Sequence, residues 1–600
     1  MSLASVHHRV RRLPSLRFSY RPCTSTKHTK WSLLPTPTST IRRWSSTSDP
    51  SKPYYITTPI FYPNAKPHIG HLYTLVLGDV LARYRRLVEP QREVKFLVGT
   101  DEHGLKIQQA AAKSGKTRED GAVDVQGFCD ELSEVFKNLS KSANISYTTF
   151  ARTTQDRHLV AVEHVWRTLN EKGFIYKGEY EGWYSVTDEC FYTTPQVTET
   201  ADGTHISKET GSTVEWSKEY NYMFRLSAFR DALVHHYSSN KDVTAVFPSQ
   251  YNSVVLGMLS PASTDEPGLV DISISRPRSR LTWGITVPED PEHTVYVWFD
   301  ALLIYLSGVG YPWSGAGAQA GWPADMQIIG KDILRFHAIY LPAILLALSG
   351  PKYSELVATP PSKVLEAASI GLPKRLLTHA HWTVSQAKMS KSVGNVVDPI
   401  HSMETYGVDI VRYYLARVGG RFRDDVDWSF EQLENHSKQL QSLLGNYLLR
   451  VASARITASA AVGRDQLQDG GEAFLHSLNE ELFQAATKLP GKVQSSMEAL
   501  EVADALVEVL DVLKLANKAV TDIAPWSKAC DPRVVYETRQ TALLTLRVAG
   551  VCLKPFVPET SERLLEALGL SEAEKTWESV LALDGSERTK EREVKAVRLF

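Results

Sequence analysis

The chain has 600 residues, of which 43% are hydrophobic and 22% charged, so it is neither disordered nor fibrous, and at roughly 100–200 residues per domain it implies three to five folded units. Its five cysteines are scattered without a Cys-x-x-Cys pair, which argues against a disulfide scaffold and a cysteine-rich zinc site. The net charge of -1 hides an uneven distribution, because residues 1–48 hold nine Arg or Lys and no acid, leaving 58 basic against 68 acidic side chains in the remainder.

Residues 1–48 are rich in Arg and carry 17 Ser or Thr, the composition of a mitochondrial transit peptide, which places the mature protein in the mitochondrial matrix. The competing reading is a disordered basic tail that binds nucleic acid. Cleavage is expected near Arg43-Trp44-Ser45. The longest nearly uncharged apolar run, Ala338 to Leu348, contains Pro342 and is about half the length of a membrane helix, so no membrane partner is expected.

Tyr54 to Thr58 is aromatic and β-branched and predicts a strand that Pro59 ends. After Pro67, apolar residues at Ile69, Leu72, Tyr73, Val76, Val80 and Tyr84 recur with helical period. Val94 to Val98 predicts a second strand, which runs into Gly99-Thr100-Asp101-Glu102-His103-Gly104. Strand, helix and strand at this spacing imply a parallel crossover, with ligands bound beyond the carboxyl ends of the strands.

Two loops carry unusual chemistry. His68-Ile69-Gly70-His71 puts two imidazoles at a helix start, where backbone N–H groups and the helix dipole favour an anion. Gly70 would let a nucleotide approach the backbone, although histidines at a helix start also serve as plain surface or capping groups. Lys388-Met389-Ser390-Lys391-Ser392 predicts a mobile cationic loop suited to charge on a leaving pyrophosphate, or else an ordinary solvated loop. The two lie 320 residues apart.

On these motifs the chain resembles the class I aminoacyl-tRNA synthetases, and among them the methionyl-tRNA synthetases of mitochondria. The resemblance also runs through Thr58 to Asn64, Gly99 to Gly104, Asp271 to Pro277, Tyr296 to Ala301 and Gly330 to Ile333. It implies an α/β fold: a Rossmann-like parallel sheet split by a connective insertion and followed by an α-helical anticodon-binding domain. The corresponding segments are 1–48 transit peptide, 49–171 first catalytic half, 172–280 insertion, 281–384 second half, 385–430 lysine loop and stem-contact region, and 431–600 anticodon domain.

The resemblance implies an enzyme that joins methionine to ATP as methionyl-adenylate and passes it to the terminal ribose of a methionine tRNA. His68, His71, Lys388 and Lys391 would be catalytic, and Gly70, Gly330 and Asp332 would join them in holding ATP, which arrives with Mg2+. Asp332 would bond a ribose hydroxyl or a group in the amino-acid site, or else cap a helix starting at Ile333. The methionine pocket would be Ile60, Tyr62, Asp101, Trp298, Ala301, Leu302, Tyr305, Ile333, Phe336 and His337, with Asp101 on the ammonium. Leu302 stands where some relatives have proline. The aromatic walls suit a thioether, and each apolar member also reads as plain core packing.

Many relatives hold zinc with cysteine pairs in the insertion. Here Ser185 and Asp188 stand at those positions and Cys190 is alone, so Cys190 and His205 fall short of a four-ligand site and no structural zinc is expected. Beyond the lysine loop, Arg412, Arg417, Arg421 and Arg423 form a local basic stripe, either for tRNA phosphates or as a solvated face. Leu433, Leu440, Leu444, Leu448 and Val451 define a buried helical stripe, with Asn446 and Arg450 opposite it. Asn446, Arg450 and Trp526 match the family's readers of the CAU anticodon, Trp526 reading equally as core. A monomer is expected.

Three rivals remain. Synthetases for branched aliphatic amino acids need an editing insertion too large for this spacing, and the cysteine enzyme uses a zinc site. A nucleotidyltransferase would not need the anticodon face. A tRNA-binding protein without catalysis would not need His68, His71, Asp101, Lys388 and Lys391.

Overall fold

The structure, a computed structural model, describes residues 52–187, 190–239, 245–260, 268–314, 321–389, 394–468, 476–584 and 592–600. Asp188, Ser390, Lys391 and the presequence lie outside them, as do the side chains of Cys190 and Lys388.

Short runs of Val, Ile, Leu and Phe form six parallel strands: β1 (Tyr54–Phe61), β2 (Val94–Thr100), β3 (Thr149–Arg152), β4 (Val246–Phe247), β5 (Met326–Gly330) and β6 (Leu376–His379). They lie in the order β3-β2-β1-β5-β6-β4, and every neighbouring pair is parallel. The strands of the first half grow outward from β1, and β6 follows β5 on the other side, where the edge strand β4 comes from within residues 172–280 and joins the sheet. Between β1 and β5 lies the switch point, where open α/β sheets bind ligands.

Pro59 does not end β1. The strand continues to Phe61, and its register against β2 shifts between Thr57 and Ile60, an irregularity that tolerates the missing proline N–H. Helix α1 (Ile69–Val88) returns the chain to β2 and buries Leu72, Tyr73, Val76, Val80 and Tyr84. Arg85 and Arg86 complement the dipole in its last turn.

The insertion is built on two long antiparallel strands, Ile175–Ser185 and Glu215–Phe224, registered from Ile175 opposite Phe224 to Tyr184 opposite Glu215. The strand Cys190–Tyr192 folds back on the first, with Cys190 opposite the buried Ser185. His205 stacks on Trp183 with ring centroids 4.1 Å apart. Among the described residues, no group of three or more His, Cys, Asp or Glu is placed to hold a metal ion, and no helix is long and apolar enough to cross a membrane.

From Phe430 onward the described elements are helical. The stripe of Leu433, Leu440, Leu444, Leu448 and Val451 is buried and continuous with the core around α1. The helix is interrupted by a wider turn at Gln441–Gly445 before Asn446–Val451.

The basic stripe needs correction at Arg412. Its side chain is fully buried, 2.6 Å from Asp79, and donates to the carbonyls of Ala143, Pro555 and Phe556. A guanidinium with four internal acceptors staples α1 to the helical domain and cannot meet a phosphate. Arg421 and Arg423 are exposed and face Asp504 and Glu501 at 2.9 and 3.4 Å.

Candidate active site

His68 precedes α1 in extended conformation, and its Nδ1 accepts the Gly70 N–H at 3.0 Å. One turn on, His71 Nδ1 accepts the His68 N–H, also at 3.0 Å. The two histidines thus form a reciprocal capping box, with ring centroids 3.9 Å apart. With each Nδ1 accepting, a neutral ring carries its proton on Nε2, so both present N–H donors at a helix N-terminus. A Cβ on Gly70 would stand 2.8 Å from His68 Cε1, so the glycine is already required by the His68 ring.

The lysine loop starts from a tight hairpin. Trp382–Val384 pairs with Ala387–Lys388, and the connecting Ser385 and Gln386 both have positive φ, as a two-residue primed turn demands. Met389 is buried and anchors the strand end in the core. On the far side of the loop, the Val397 carbonyl accepts the Ile69 N–H at 3.1 Å. The exit of the lysine loop is therefore bonded directly to the helix start that carries the two histidines.

Gly330 ends β5 and Asp332 lies in the tight turn Lys331–Ile333 rather than capping it. Asp332 is 3.2 Å from His381 Nε2. The His379 Nδ1–H donates to the Ala380 carbonyl, so its Nε2 accepts the Thr74 hydroxyl at 2.9 Å. Thr74 in turn reaches the Gly70 carbonyl at 3.2 Å, and a chain of contacts joins α1 to the ends of β5 and β6. His379 and His381, in the stretch His379-Ala380-His381 after β6, were not singled out from sequence, although two histidines at a strand end were visible there.

The residues expected to form the amino-acid pocket come from both sides of the insertion, and the apolar ones apart from Ala301 share one hydrophobic cluster. The Asp101 N–H donates to the Phe61 carbonyl at 2.9 Å, holding the buried Asp101 beside Ile60 and Tyr62. Trp298, in the same apolar cluster as Ile60 and Tyr62, lies 6.3 Å from Phe336 and 4.9 Å from Tyr340, ring to ring. Leu302 and Tyr305 are buried, while Ile60, Tyr62, Ala301, Ile333 and Phe336 are half-buried.

The His337 Nδ1–H donates to the Ile333 carbonyl at 2.9 Å, and its Nε2 accepts from the Tyr305 hydroxyl at 2.7 Å. Burial pushes His337 down to about 4, so the ring is neutral at physiological pH. Burial, reinforced by the nearby Asp101 charge, pushes the Tyr305 phenol well up, which keeps its proton on oxygen.

Sequence reasoning also missed a buried set around the Asp101 loop. Glu102 is gripped by Arg152 at 2.6 and 2.9 Å and by Thr100 and Thr154 at 2.6 Å each. His103 and His158 converge on Asp300. A polar residue next to Asp101 was legible, but its partner some 200 residues away was not.

In the helical part, Asn446 is exposed and Arg450 half-buried. Arg450 donates to Asn517 and approaches Thr521 at 3.4 Å, both on the helix Val502–Ile523. That helix ends in a left-handed cap at Ala524, and Trp526 follows it as an exposed side chain rather than a core one.

The sheet order and the helix start at the switch point are those of a nucleotide-binding α/β fold, and comparison with known families gives the class. The family model for class I tRNA synthetases (M) matches residues 54–452, and the anticodon binding domain of methionyl tRNA ligase matches residues 467–588. The chain belongs to the methionine–tRNA ligase family. It is 40% identical to the probable mitochondrial methionine–tRNA ligase of Neurospora crassa, over 88% of this chain and 82% of that one. It is 40% identical to the human mitochondrial methionine–tRNA ligase, over 87% and 85%. Among solved structures, Mycobacterium tuberculosis methionyl-tRNA synthetase in complex with methionyl-adenylate superposes with a TM-score of 0.75, at 36% identity, covering 88% of this chain and 96% of that one.

Proposed function

We propose that the protein activates methionine with ATP and charges a methionine tRNA in the mitochondrial matrix, acting as a monomer after loss of residues 1–48. The observation that carries this reading is the Ile69–Val397 bond, which ties the two-histidine helix start to the segment that follows the lysine loop in sequence.

Methionine binds with its ammonium on Asp101 and its thioether among Trp298, Tyr305, Phe336 and His337, with Ile60, Tyr62, Ala301, Leu302 and Ile333 completing the walls. The neutral His337 and un-ionised Tyr305 satisfy one another, so the side-chain end of the pocket presents no charge to an apolar substrate. ATP enters as its magnesium complex along Gly70, Gly330 and Asp332. The methionine carboxylate attacks the α-phosphate, and pyrophosphate leaves. His68 and His71 meet the charge developing there through Nε2–H donors already fixed in place, and Lys388 and Lys391 meet the departing pyrophosphate. No enzyme nucleophile is needed. The ribose hydroxyl at the tRNA end then attacks the carbonyl of the resulting methionyl-adenylate and takes the methionyl group as AMP leaves, while Asn446, Arg450 and Trp526 read the CAU anticodon.

The test is amino-acid-dependent ATP–pyrophosphate exchange by protein starting near residue 49, with each of the twenty amino acids. Exchange with methionine alone is expected. Exchange with another amino acid overturns the pocket assignment, and absence of exchange from folded protein with tRNA present overturns the enzyme reading.

A further inference from the structure

A buried carboxylate next to the pocket has no part in the chemistry above. Asp300 sits on the short helix Val297–Leu302, between Trp298 on one side and Ala301 and Leu302 on the other. It has no exposed surface. Its Oδ2 is 2.7 Å from His103 Nδ1 and its Oδ1 2.7 Å from His158 Nε2. The other ring nitrogen of His158 is 2.8 Å from the Ser307 hydroxyl.

Burial alone would push the Asp300 carboxyl up, but the two facing histidines hold it below the usual carboxylate range. The carboxylate is therefore ionised, and both ring nitrogens that face it are N–H donors. A buried anion accepting two charge-assisted hydrogen bonds is a stiff connection, because loss of either donor leaves buried charge unmet.

What it connects matters. His103 is two residues beyond Asp101 in the loop after β2, and His158 lies on the helix Asp156–Glu171, so both precede the insertion. Asp300 follows the insertion. The loop is fixed from other sides as well: the Trp283 indole N–H donates to the Glu102 carbonyl at 2.6 Å, and the Gly104 N–H to the Trp283 carbonyl at 3.2 Å. The Asp300–His103 bond adds a direct tie from that loop to the helix bearing Trp298.

We propose that Asp300 and His103 are positioning residues that set Asp101, on one half of the split catalytic domain, against the aromatic wall on the other, and so fix where the amino-acid ammonium sits relative to its side-chain pocket. This rests on the pocket assignment made above. Neither residue touches the substrate.

The experiment measures methionine-dependent ATP–pyrophosphate exchange for the wild type and for His103→Ala, His103→Asn and Asp300→Asn, with thermal midpoints in parallel. Wild-type exchange with methionine is the control for the pocket assignment, and its failure overturns that assignment rather than this inference. Given that exchange, His103→Ala and Asp300→Asn are expected to raise KM for methionine by about tenfold or more while KM for ATP changes by less than about twofold. His103→Asn, whose amide N–H occupies the place of Nδ1–H, is expected to restore most of the methionine affinity. Should His103→Ala not fold, His103→Gln, which keeps bulk but moves the donor, takes its place. An unchanged methionine KM in a folded variant overturns the proposal. So does a fall in thermal midpoint with equal changes for both substrates and no rescue by Asn, which assigns the network to stability alone.

Discussion

Asp79 and Arg412 form an ion pair of 2.6 Å in which neither side chain has exposed surface. Asp79 lies in the middle of α1, the helix that begins at the two histidines, and Arg412 on the helix Val408–Gly419. The carboxylate also meets Arg83 at 2.7 Å and the Ser146 N–H and hydroxyl at 2.7 and 2.5 Å. A fully partnered pair of this kind is costly to break from one side.

Arg412→Met is accordingly expected to destabilise the protein by about 3–5 kcal/mol, because the buried Asp79 keeps only Arg83 and Ser146 and the carbonyls of Ala143, Pro555 and Phe556 lose their donor. Denaturant unfolding of single and double variants checks this, and Arg412→Met with Asp79→Leu should recover part of the loss. Burial opposes ionisation of Asp79, but the charges of Arg412 and Arg83 hold its carboxyl below the ordinary value. Its stabilising effect is therefore present above the unfolded carboxyl range and lost as pH falls through the lower folded value. Stability of Asp79→Asn, measured below about pH 4, should fall less steeply than that of the wild type.

His71→Asn separates the structural from the chemical role of that ring. The Asn side-chain oxygen can still accept the His68 N–H and keep the cap, while the outward N–H donor is lost. The expected result is an exchange rate reduced by about 10²-fold with a thermal midpoint near that of the wild type.

His337 and His379 are both pushed down to about 4, in each case first by burial. A histidine held neutral in the fold stabilises fully above its unfolded value, near 6.5, and loses that contribution as pH drops toward 4. Between pH 7 and pH 5 each should cost about 2 kcal/mol of stability. Thermal melts across this range should show the loss, and His337→Gln should flatten part of it.

Trp526→Ala removes an exposed aromatic ring beyond the end of the helix Val502–Ile523, whose Asn517 and Thr521 accept from Arg450. Aminoacylation should show KM for tRNA raised by about tenfold or more, as expected for the loss of one base stack. Methionine-dependent exchange without tRNA should be unchanged. An Arg450→Ala variant tests the same face and additionally releases Asn517 and Thr521.

Local pattern alone made much of this protein legible. Short aromatic, β-branched and apolar runs placed β1 and β2, and period-3.6 apolar spacing placed α1 and the stripe from Leu433 to Val451, because burial is imposed residue by residue along the chain. The two signature loops were visible for a related reason, since their residue types serve no ordinary packing purpose. Three-dimensional packing decided the rest. Pro59 stays in its strand because a register shift there removes the need for its N–H, and pattern does not carry register. Arg412 looks like any arginine of a solvated stripe until Asp79 and three carbonyls from distant segments surround it. Asp300 reads as one more residue of an aromatic motif, and only the fold brings His103 and His158 to it from across the insertion. A side chain's local spacing determines which way it faces, whereas a buried charge is decided by partners that the chain supplies from hundreds of residues away.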